Sequence, residues 1–154
     1  MNNNTKKGEL LLEIKNLKIQ GFSDEKWHDI VNGVDISLRR GEVMGLIGES
    51  GAGKSTLGLA AMGYTQPGCR ITDGEIKFDG LDISKLKENE KRKYWGNRMT
   101  YVAQSAAASF NPAHRLIKQT TASSIRTGFK EANEAHNDAK TLYRTLNLPD
   151  PNNI

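Results

Sequence analysis

The chain has 154 residues, of which 36% are hydrophobic and 26% are charged, and its formal net charge is +4. This composition predicts one soluble globular domain of ordinary size and excludes a disordered chain. The 22 Lys and Arg residues are spread along the sequence, so charge alone gives no reason to expect nucleic-acid binding.

Cysteine content and hydropathy exclude two further classes. Cys69 is the only cysteine, so neither an intrachain disulfide nor a cysteine-based metal site is possible, and a reducing cytoplasm is the compartment that fits best. No apolar run approaches the roughly 20 residues that span a bilayer. Any association with a membrane is therefore expected to go through a partner.

The first predicted elements are a polar tail and three strands. Residues 1–9 are expected to form a disordered tail. Apolar positions alternate loosely from Leu10 to Gln20 and again from Ile30 to Leu38, which predicts two strands joined by a turn at residues 21–26. The apolar run from Val43 to Ile47 predicts a central parallel strand that is buried on both faces.

A phosphate-binding loop pattern, G-x-x-x-x-G-K-[ST], follows this third strand directly. Glycines let backbone N–H groups turn inward around phosphate oxygens, and a helix predicted over Lys54–Met62 directs its positive end at the same anion. Lys54 is predicted to reach the β- and γ-phosphates, and the Ser55 hydroxyl is predicted to bind Mg²⁺. A glycine-rich surface turn is the alternative, but the flanking strand and helix favour a nucleotide triphosphate site. The predicted site consists of Gly48, Glu49, Ser50, Gly51, Ala52, Gly53, Lys54, Ser55 and Thr56.

Two short strands and a charged helix are predicted next. Residues 75–78 alternate and end at Asp79–Gly80, a dipeptide typical of a tight turn. Ser84 is predicted to cap a helix that runs to about Trp95, in which Glu88 pairs with Lys91 and Arg92. Residues 98–104 are predicted to form a short strand.

The remainder of the chain is predicted to be helical. From residue 112 to 148 it is rich in Ala, Lys and Glu, and a break near Gly128 predicts two helices. Residues 148–154 contain two prolines and are predicted to form a loop. The apolar positions with helical spacing are Leu116, Ile117, Ile125, Ala135, Ala139, Leu142 and Leu146.

These features together resemble the ATP-binding subunit of an ABC transporter, most closely the oligopeptide, dipeptide and nickel importer branch. The resemblance covers nearly the whole chain from Leu10 onward, and the order and spacing of its motifs are more specific than the loop alone. Three groups of residues carry the resemblance. They are residues 34–42 followed by 43–56, then Gly74-Glu75-Ile76 with Phe78-Asp79-Gly80, and finally Tyr101-Val102-Ala103-Gln104 with Ser109-Phe110-Asn111-Pro112.

The resemblance implies an α/β fold: a P-loop NTPase core of the ABC ATPase type with an antiparallel β subdomain. Residues 10–111 would be the N-terminal part of the ATP-binding domain, and residues 112–154 the start of its helical subdomain. Gln104 would be the glutamine of the Q-loop, which reaches Mg²⁺ or the attacking water; an amide oxygen suits this role. An aromatic residue would stack on adenine, with Phe22 as the first candidate and Trp27 as the second.

The same resemblance implies cofactors, partners and a location. The cofactors would be ATP and Mg²⁺. The partners would be transmembrane permease subunits and a second ATP-binding subunit, with neither nucleic acid nor direct membrane insertion. The subunit would be cytoplasmic and held at the inner face of the cell membrane by the permease.

The sequence departs from the family pattern after Gln104. The remaining fifty residues contain no Leu-Ser-Gly-Gly-Gln signature, no apolar strand ending in Asp-Glu (the Walker B strand) and no switch histidine. His114 and His136 are expected to be exposed helix residues instead. The fold is therefore expected to be truncated before the signature and the Walker B strand, to bind ATP without hydrolysing it, and to expose an unpaired sheet edge. Two alternatives stay open: a small P-loop kinase, and a nucleotide-responsive adaptor without hydrolysis.

Overall fold

The computed structural model describes residues 8–105 and 109–148, and these form two compact units. One unit ends at Arg92 and the other begins at Lys93. Of the predicted polar tail, residues 1–7 lie outside the described residues. Of the predicted C-terminal loop, residues 149–154 also lie outside them.

The first unit is built on a four-stranded antiparallel sheet. Its strands are β1 (Leu10–Ser23), β2 (Lys26–Arg39), β3 (Cys69–Phe78) and β4 (Leu81–Asp82), in the order β2-β1-β3-β4. The helix α1 (Lys54–Ala60) lies between β2 and β3 in the chain, and a 3₁₀ turn at Ile83–Lys85 and the short helix α2 (Glu88–Lys91) follow β4. The first two strands are longer than predicted because their pairing extends to the hairpin turn at Asp24–Glu25.

The core of this unit lies on one face of the sheet. β1 is paired on both sides, and its side chains Ile14, Leu17 and Ile19 are at most 1% exposed. Ile14 and Leu17 are three residues apart, and in a regular strand this odd spacing would put their side chains on opposite faces. The register shifts between these residues, and Asn16 adopts a φ of 47°, so the bulge turns both side chains inward.

Gly74 of β3 faces this bulge and has no room for a side chain. A Cβ there would lie 2.6 Å from Leu17 Cα and 2.7 Å from the carbonyl oxygen of Asn16, and the φ of Gly74 is +103°. Asp73 supports the same corner because its carboxylate accepts hydrogen bonds from Gly74 N (2.8 Å) and Asn16 Nδ2 (3.0 Å). The predicted turn at Asp79–Gly80 is confirmed, and it joins β3 to β4.

The segment Val43–Ile47 is not the buried strand that its apolar run predicts. No strand forms there, and Val43 is 96% exposed and Ile47 100% exposed. A parallel strand needs hydrogen-bonding neighbours on its edges. Within the described residues, no strand pairs with this segment.

Two further predicted elements are different in the structure. The charged helix is not continuous: the Asp82 carboxylate, rather than Ser84, acts as the cap, since it accepts from Ser84 N at 3.1 Å at the start of the 3₁₀ turn. Lys87 is then extended, and the helix restarts at Glu88, which forms the expected ion pair with Arg92. The strand predicted at residues 98–104 is also wrong, since the described residues there form only an isolated bridge between Trp95 and Met99.

The second unit contains the two predicted helices, α3 (Leu116–Arg126) and α4 (Ala132–Thr145), with Gly128 in the left-handed region between them. The buried stripe of α4 is Ala135, Ala139 and Tyr143, a spacing of four residues that keeps them on one face. Tyr143 also shares a hydrogen bond with the Thr120 hydroxyl of α3. Leu142 and Leu146, predicted on the apolar stripe, are mainly exposed.

Candidate phosphate-binding site

The glycines of the loop hold backbone conformations that other residues rarely adopt. Gly51 has a φ of +84° and Gly53 a φ of +77°, both in the left-handed region. Gly53 also packs against β2: a Cβ on it would lie 2.9 Å from Ile30 Cγ2 and 3.1 Å from the Ile30 carbonyl oxygen. Glycine at these positions therefore allows both the loop conformation and the close packing of the loop against the sheet.

Lys54 directs its charge back into the loop. Its Nζ donates hydrogen bonds to the carbonyl oxygens of Gly48 (2.7 Å) and Glu49 (2.5 Å). The loop thus closes around an ammonium group that donates to neutral carbonyls, and no carboxylate of residues 8–105 or 109–148 is bonded to it. An incoming phosphate is a stronger partner for an ammonium group than a carbonyl is. This arrangement fits the binding of phosphate oxygens.

The helix that follows the loop keeps its positive end available. α1 begins at Lys54, its first turn contains no acidic residue, and no side chain caps it. The backbone hydrogen bonds of the helix start with the one that Leu57 N donates to Gly53 O at 2.8 Å. Ser55 is exposed in this first turn, where a hydroxyl can serve as an oxygen ligand for Mg²⁺, and Thr56 is half-buried beside it.

A cavity of about 220 Å³ lies between β2 and the loop, beside the contact of Gly53 with Ile30. Its lining includes Ile30, Val31 and Val34 of β2, together with Ala52, Gly53 and Lys54 of the loop. Ile30 and Val31 both face the loop because the register shifts between Ile19 and Gln20, where β2 contains one extra residue. The bulge in β2 is therefore what places two neighbouring side chains under the loop.

The structure does not bring the predicted stacking residues to this face of the sheet. Phe22 and Trp27 are directly opposite each other at the hairpin tip, and their ring centroids are 5.2 Å apart. The Arg70 guanidinium carbon lies 3.8 Å from the centroid of the Trp27 ring, and Arg70 also donates to Gln20. These residues share the outer face, whereas the loop lies against the inner face.

The other candidate residues belong to different places in the fold. Gln104 lies in the second unit, exposed and outside any helix or strand, and its Q-loop role stays a prediction. His114 is exposed but precedes α3, and His136 is half-buried on α4, so neither is the exposed helix residue expected. Cys69 is a half-buried free thiol that begins β3. No cluster of His, Cys, Asp or Glu within residues 8–105 and 109–148 is arranged to hold a metal ion.

Comparison with known proteins identifies the family. The sequence model described as ABC transporter matches residues 31–153. The peptide transport system ATP-binding protein SapD of Salmonella typhimurium is 35% identical over 109 residues, which are 71% of this chain and 33% of SapD. The oligopeptide transport ATP-binding protein AppD of Bacillus subtilis is 38% identical over 112 residues, covering 72% of this chain and 34% of AppD.

A solved structure shows the same fold at lower sequence identity. The ATP-binding cassette MJ0796, in a dimeric post-hydrolysis structure bound to ADP and Pi, gives a TM-score of 0.71 at 20% identity, and the match covers 94% of this chain and 63% of that one. The chain spans about a third of the length of SapD and AppD. The fold is thus the N-terminal part of an ABC ATPase of the P-loop type, with an antiparallel sheet and helices. From the matched family model and the loop that it contains, we conclude that the chain belongs to the ABC transporter family.

Proposed function

We propose that this chain binds MgATP through residues Gly48–Thr56 as part of the ATP-binding component of a peptide import system. The observation that carries the proposal is the loop itself: left-handed Gly51 and Gly53, the Lys54 ammonium on two loop carbonyls, and an uncapped helix with no acidic residue in its first turn. Each of these features suits an anion. The names of SapD and AppD favour peptide over nickel as the transported substrate.

Lys54 and Ser55 have separate roles in this proposal. Lys54 would exchange its carbonyl partners for the β- and γ-phosphates, and the Ser55 hydroxyl would hold Mg²⁺. For Gln104 we retain the Q-loop role that the family resemblance implies, contact with Mg²⁺ or with the attacking water through its amide oxygen. The metal neutralises phosphate charge when bound, and the chain's own residues hold and orient the nucleotide.

The partners proposed for the chain are the permease of the transport system and a second ATP-binding subunit. The dimeric state of the MJ0796 structure supports the second of these. No helix among the described residues is long and apolar enough to cross a membrane. We place the chain at the inner face of the cell membrane, held there by the permease.

Equilibrium titration with a fluorescent ATP analogue, with and without Mg²⁺, tests the site. Lys54→Ala is expected to weaken binding by about tenfold or more, since a hydrogen bond to a charged group contributes about 1.5–3 kcal/mol. Ser55→Ala is expected to remove mainly the Mg²⁺-dependent part of the affinity. Lys15→Ala is the matched control, because Lys15 is an exposed lysine of β1 that pairs with Glu13. Equal affinities for Lys54→Ala and Lys15→Ala would refute the proposed site.

We further propose that these 154 residues retain ATP without hydrolysing it. Turnover requires a group that positions water as well as charge neutralisation. Lys54, the Ser55 hydroxyl and the backbone N–H groups of the loop bind phosphate or metal and do not deprotonate water. Phosphate release at about 1 s⁻¹ or faster that Lys54→Ala abolishes would contradict this proposal.

A further inference from the structure

The Gln104 segment, residues 100–105, is anchored to helix α3 at its N-terminal flank. Gly96 lies so close to the Ser123 side chain of α3 that a Cβ on it would be 2.2 Å from Ser123 Oγ. Gly96 N donates to Met99 O at 2.8 Å, and Met99 is buried. Beyond Met99 the chain is largely exposed, and the exposure of Val102 reaches 88%. The anchor on α3 therefore extends as far as Met99.

The C-terminal flank of the segment is bonded to the same helix through the Gln119 side chain. Gln119 Oε1 accepts a hydrogen bond from Asn111 N at 2.8 Å. Gln119 Nε2 donates to the carbonyl oxygens of Asn111 at 3.0 Å and of His114 at 2.9 Å. Gln119 and Ser123 are four residues apart, so they lie on one face of α3. One helix face therefore holds both flanks of the Gln104 segment.

A further hydrogen bond joins the C-terminal flank to the segment itself. Ser109 Oγ donates to the carbonyl oxygen of Ser105 at 2.8 Å. Ser105 is the neighbour of Gln104, and Ser109 is two residues before Asn111. Two hydrogen-bonded contacts and short stretches of backbone thus connect α3 to Gln104. A displacement of Asn111 would therefore displace Gln104 as well.

The bonds of Gln119 serve the flank and not the start of the helix. The first turn of a helix has unpaired N–H groups, which require acceptors. Gln119 instead bonds three backbone groups that precede α3, and two of these are carbonyl oxygens. A glutamine amide matches this set because it supplies one acceptor oxygen and two N–H donors, whereas a carboxylate could not donate to the carbonyls.

We propose that Gln119 is a positioning residue for Gln104: it holds the turn at Asn111 and His114 on α3 and so fixes where the Gln104 amide lies on the second unit. The inference rests on the role proposed above for Gln104 and adds the residue that sets the position of its amide. Gln104 is exposed and lies outside any helix or strand, so its position depends on the anchored flanks. Without the Gln119 bonds the amide samples more positions, and any single contact that it makes is weakened by the cost of ordering it.

Two measurements on the 154-residue chain test the inference. In the nucleotide-free chain, Gln119→Ala should speed amide hydrogen exchange at Asn111 about two- to tenfold, because Asn111 N loses its acceptor. The second measurement is the ratio of the Kd values of a fluorescent ATP analogue without and with Mg²⁺. Gln104→Ala is expected to lower this ratio about two- to tenfold, the factor that corresponds to one hydrogen bond. Gln119→Ala should lower it by most of the same factor, and the double variant should lower it no further.

Two more variants separate positioning from a general loss of structure. Lys118→Ala is the matched control, because Lys118 is the exposed neighbour of Gln119 on α3, and this variant should leave exchange and ratio unchanged. Gln119→Glu keeps an acceptor for Asn111 N but cannot donate to the two carbonyl oxygens. It should therefore still lower the ratio, and it decides the outcome if Gln119→Ala loses helix content in circular dichroism.

The remaining outcomes overturn the inference. Unchanged exchange at Asn111 in Gln119→Ala would mean that Gln119 does not hold the turn. A lower ratio in Gln104→Ala but in neither Gln119 variant, or losses that add in the double variant, would mean that Gln119 does not act through Gln104. If Gln104→Ala leaves the ratio unchanged, the inference fails while Lys54-dependent binding of the analogue stands. If the unsubstituted chain does not bind the analogue, the proposed function fails as well.

Discussion

Substituting Gly53 by alanine is expected to destabilise the first unit strongly, and for two separable reasons. Gly53 has a φ of +77°, and a residue with a Cβ adopts the left-handed region at a cost of about 1–2 kcal/mol. The new Cβ would also lie 2.9 Å from Ile30 Cγ2 and 3.1 Å from the Ile30 carbonyl oxygen. Relieving such overpacking typically costs about 1–3 kcal/mol. The two contributions together lower the free energy of unfolding by about 2–5 kcal/mol.

Gly51→Ala is the matched control for the conformational part. Gly51 has a φ of +84° but no atom within 4 Å of its would-be Cβ. This variant is therefore expected to lose only the conformational contribution of about 1–2 kcal/mol. The difference between the two variants measures the contact of the loop with the bulge of β2.

Urea unfolding provides the assay. In a Trp95→Phe background, tryptophan fluorescence reports Trp27 in the first unit alone. Gly53→Ala should have the lower unfolding midpoint, and adding Ile30→Ala should recover part of the loss, because it removes Cγ2 but leaves the carbonyl oxygen. Equal midpoints for Gly53→Ala and Gly51→Ala would refute the packing of the loop on Ile30.

Three further predictions concern the sheet and the exposed segment. Gly74→Ala should destabilise the first unit more than Gly53→Ala in the same urea assay, since its Cβ would meet only backbone atoms that no rotamer change can move; a smaller effect would argue against the β1 bulge. The hydrogen bond from Gly74 N, and the hydrogen bond and positive charge of Lys18, lower the pKa of Asp73. The stabilisation that the ionised Asp73 carboxylate gives to the folded state is therefore present above about pH 4, and it is lost as the pH falls through the lowered pKa of the folded state. Asp73→Asn should flatten this acid dependence in thermal melts recorded from pH 6 to about pH 2, and an unchanged slope would exclude Asp73 as its source. Val43→Lys should reduce self-association in sedimentation velocity, because a charge replaces an exposed apolar side chain, and it should leave stability unchanged, because Val43 is 96% exposed; an unsubstituted chain that sediments as a monomer would contradict this prediction.

Local sequence patterns were sufficient to identify the family and to predict the conformation of the glycine-rich loop. The loop conformation depends on glycines at two fixed positions, and the Lys54 contacts reach back only five and six residues. The Asp79–Gly80 turn and the helix break at Gly128 are equally local, because each follows from the backbone freedom of one or two residues. Such features need no knowledge of distant contacts.

Features that depend on distant partners were predicted less well. The apolar run Val43–Ile47 has strand composition, yet the described residues pair no strand with it. The charged helix was predicted as one element, but Asp82 caps a short 3₁₀ turn, and extended backbone at Leu86 and Lys87 separates that turn from α2. Leu142 and Leu146 have helical spacing, but the stripe that packs against α3 is the one through Tyr143.

The sequence by itself determined that the chain carries a glycine-rich loop with the phosphate-binding pattern between a β-hairpin and a helix, because glycine, lysine and hydroxyl positions make up that pattern directly. Only the tertiary structure decided which residues face it. Alternation along a strand assigns faces only while the register is unbroken, and one extra residue in β2 turns both Ile30 and Val31 toward the loop. That bulge leaves Trp27 on the outer face of the sheet, whereas regular alternation along β1 from Ile19 already places Phe22 there.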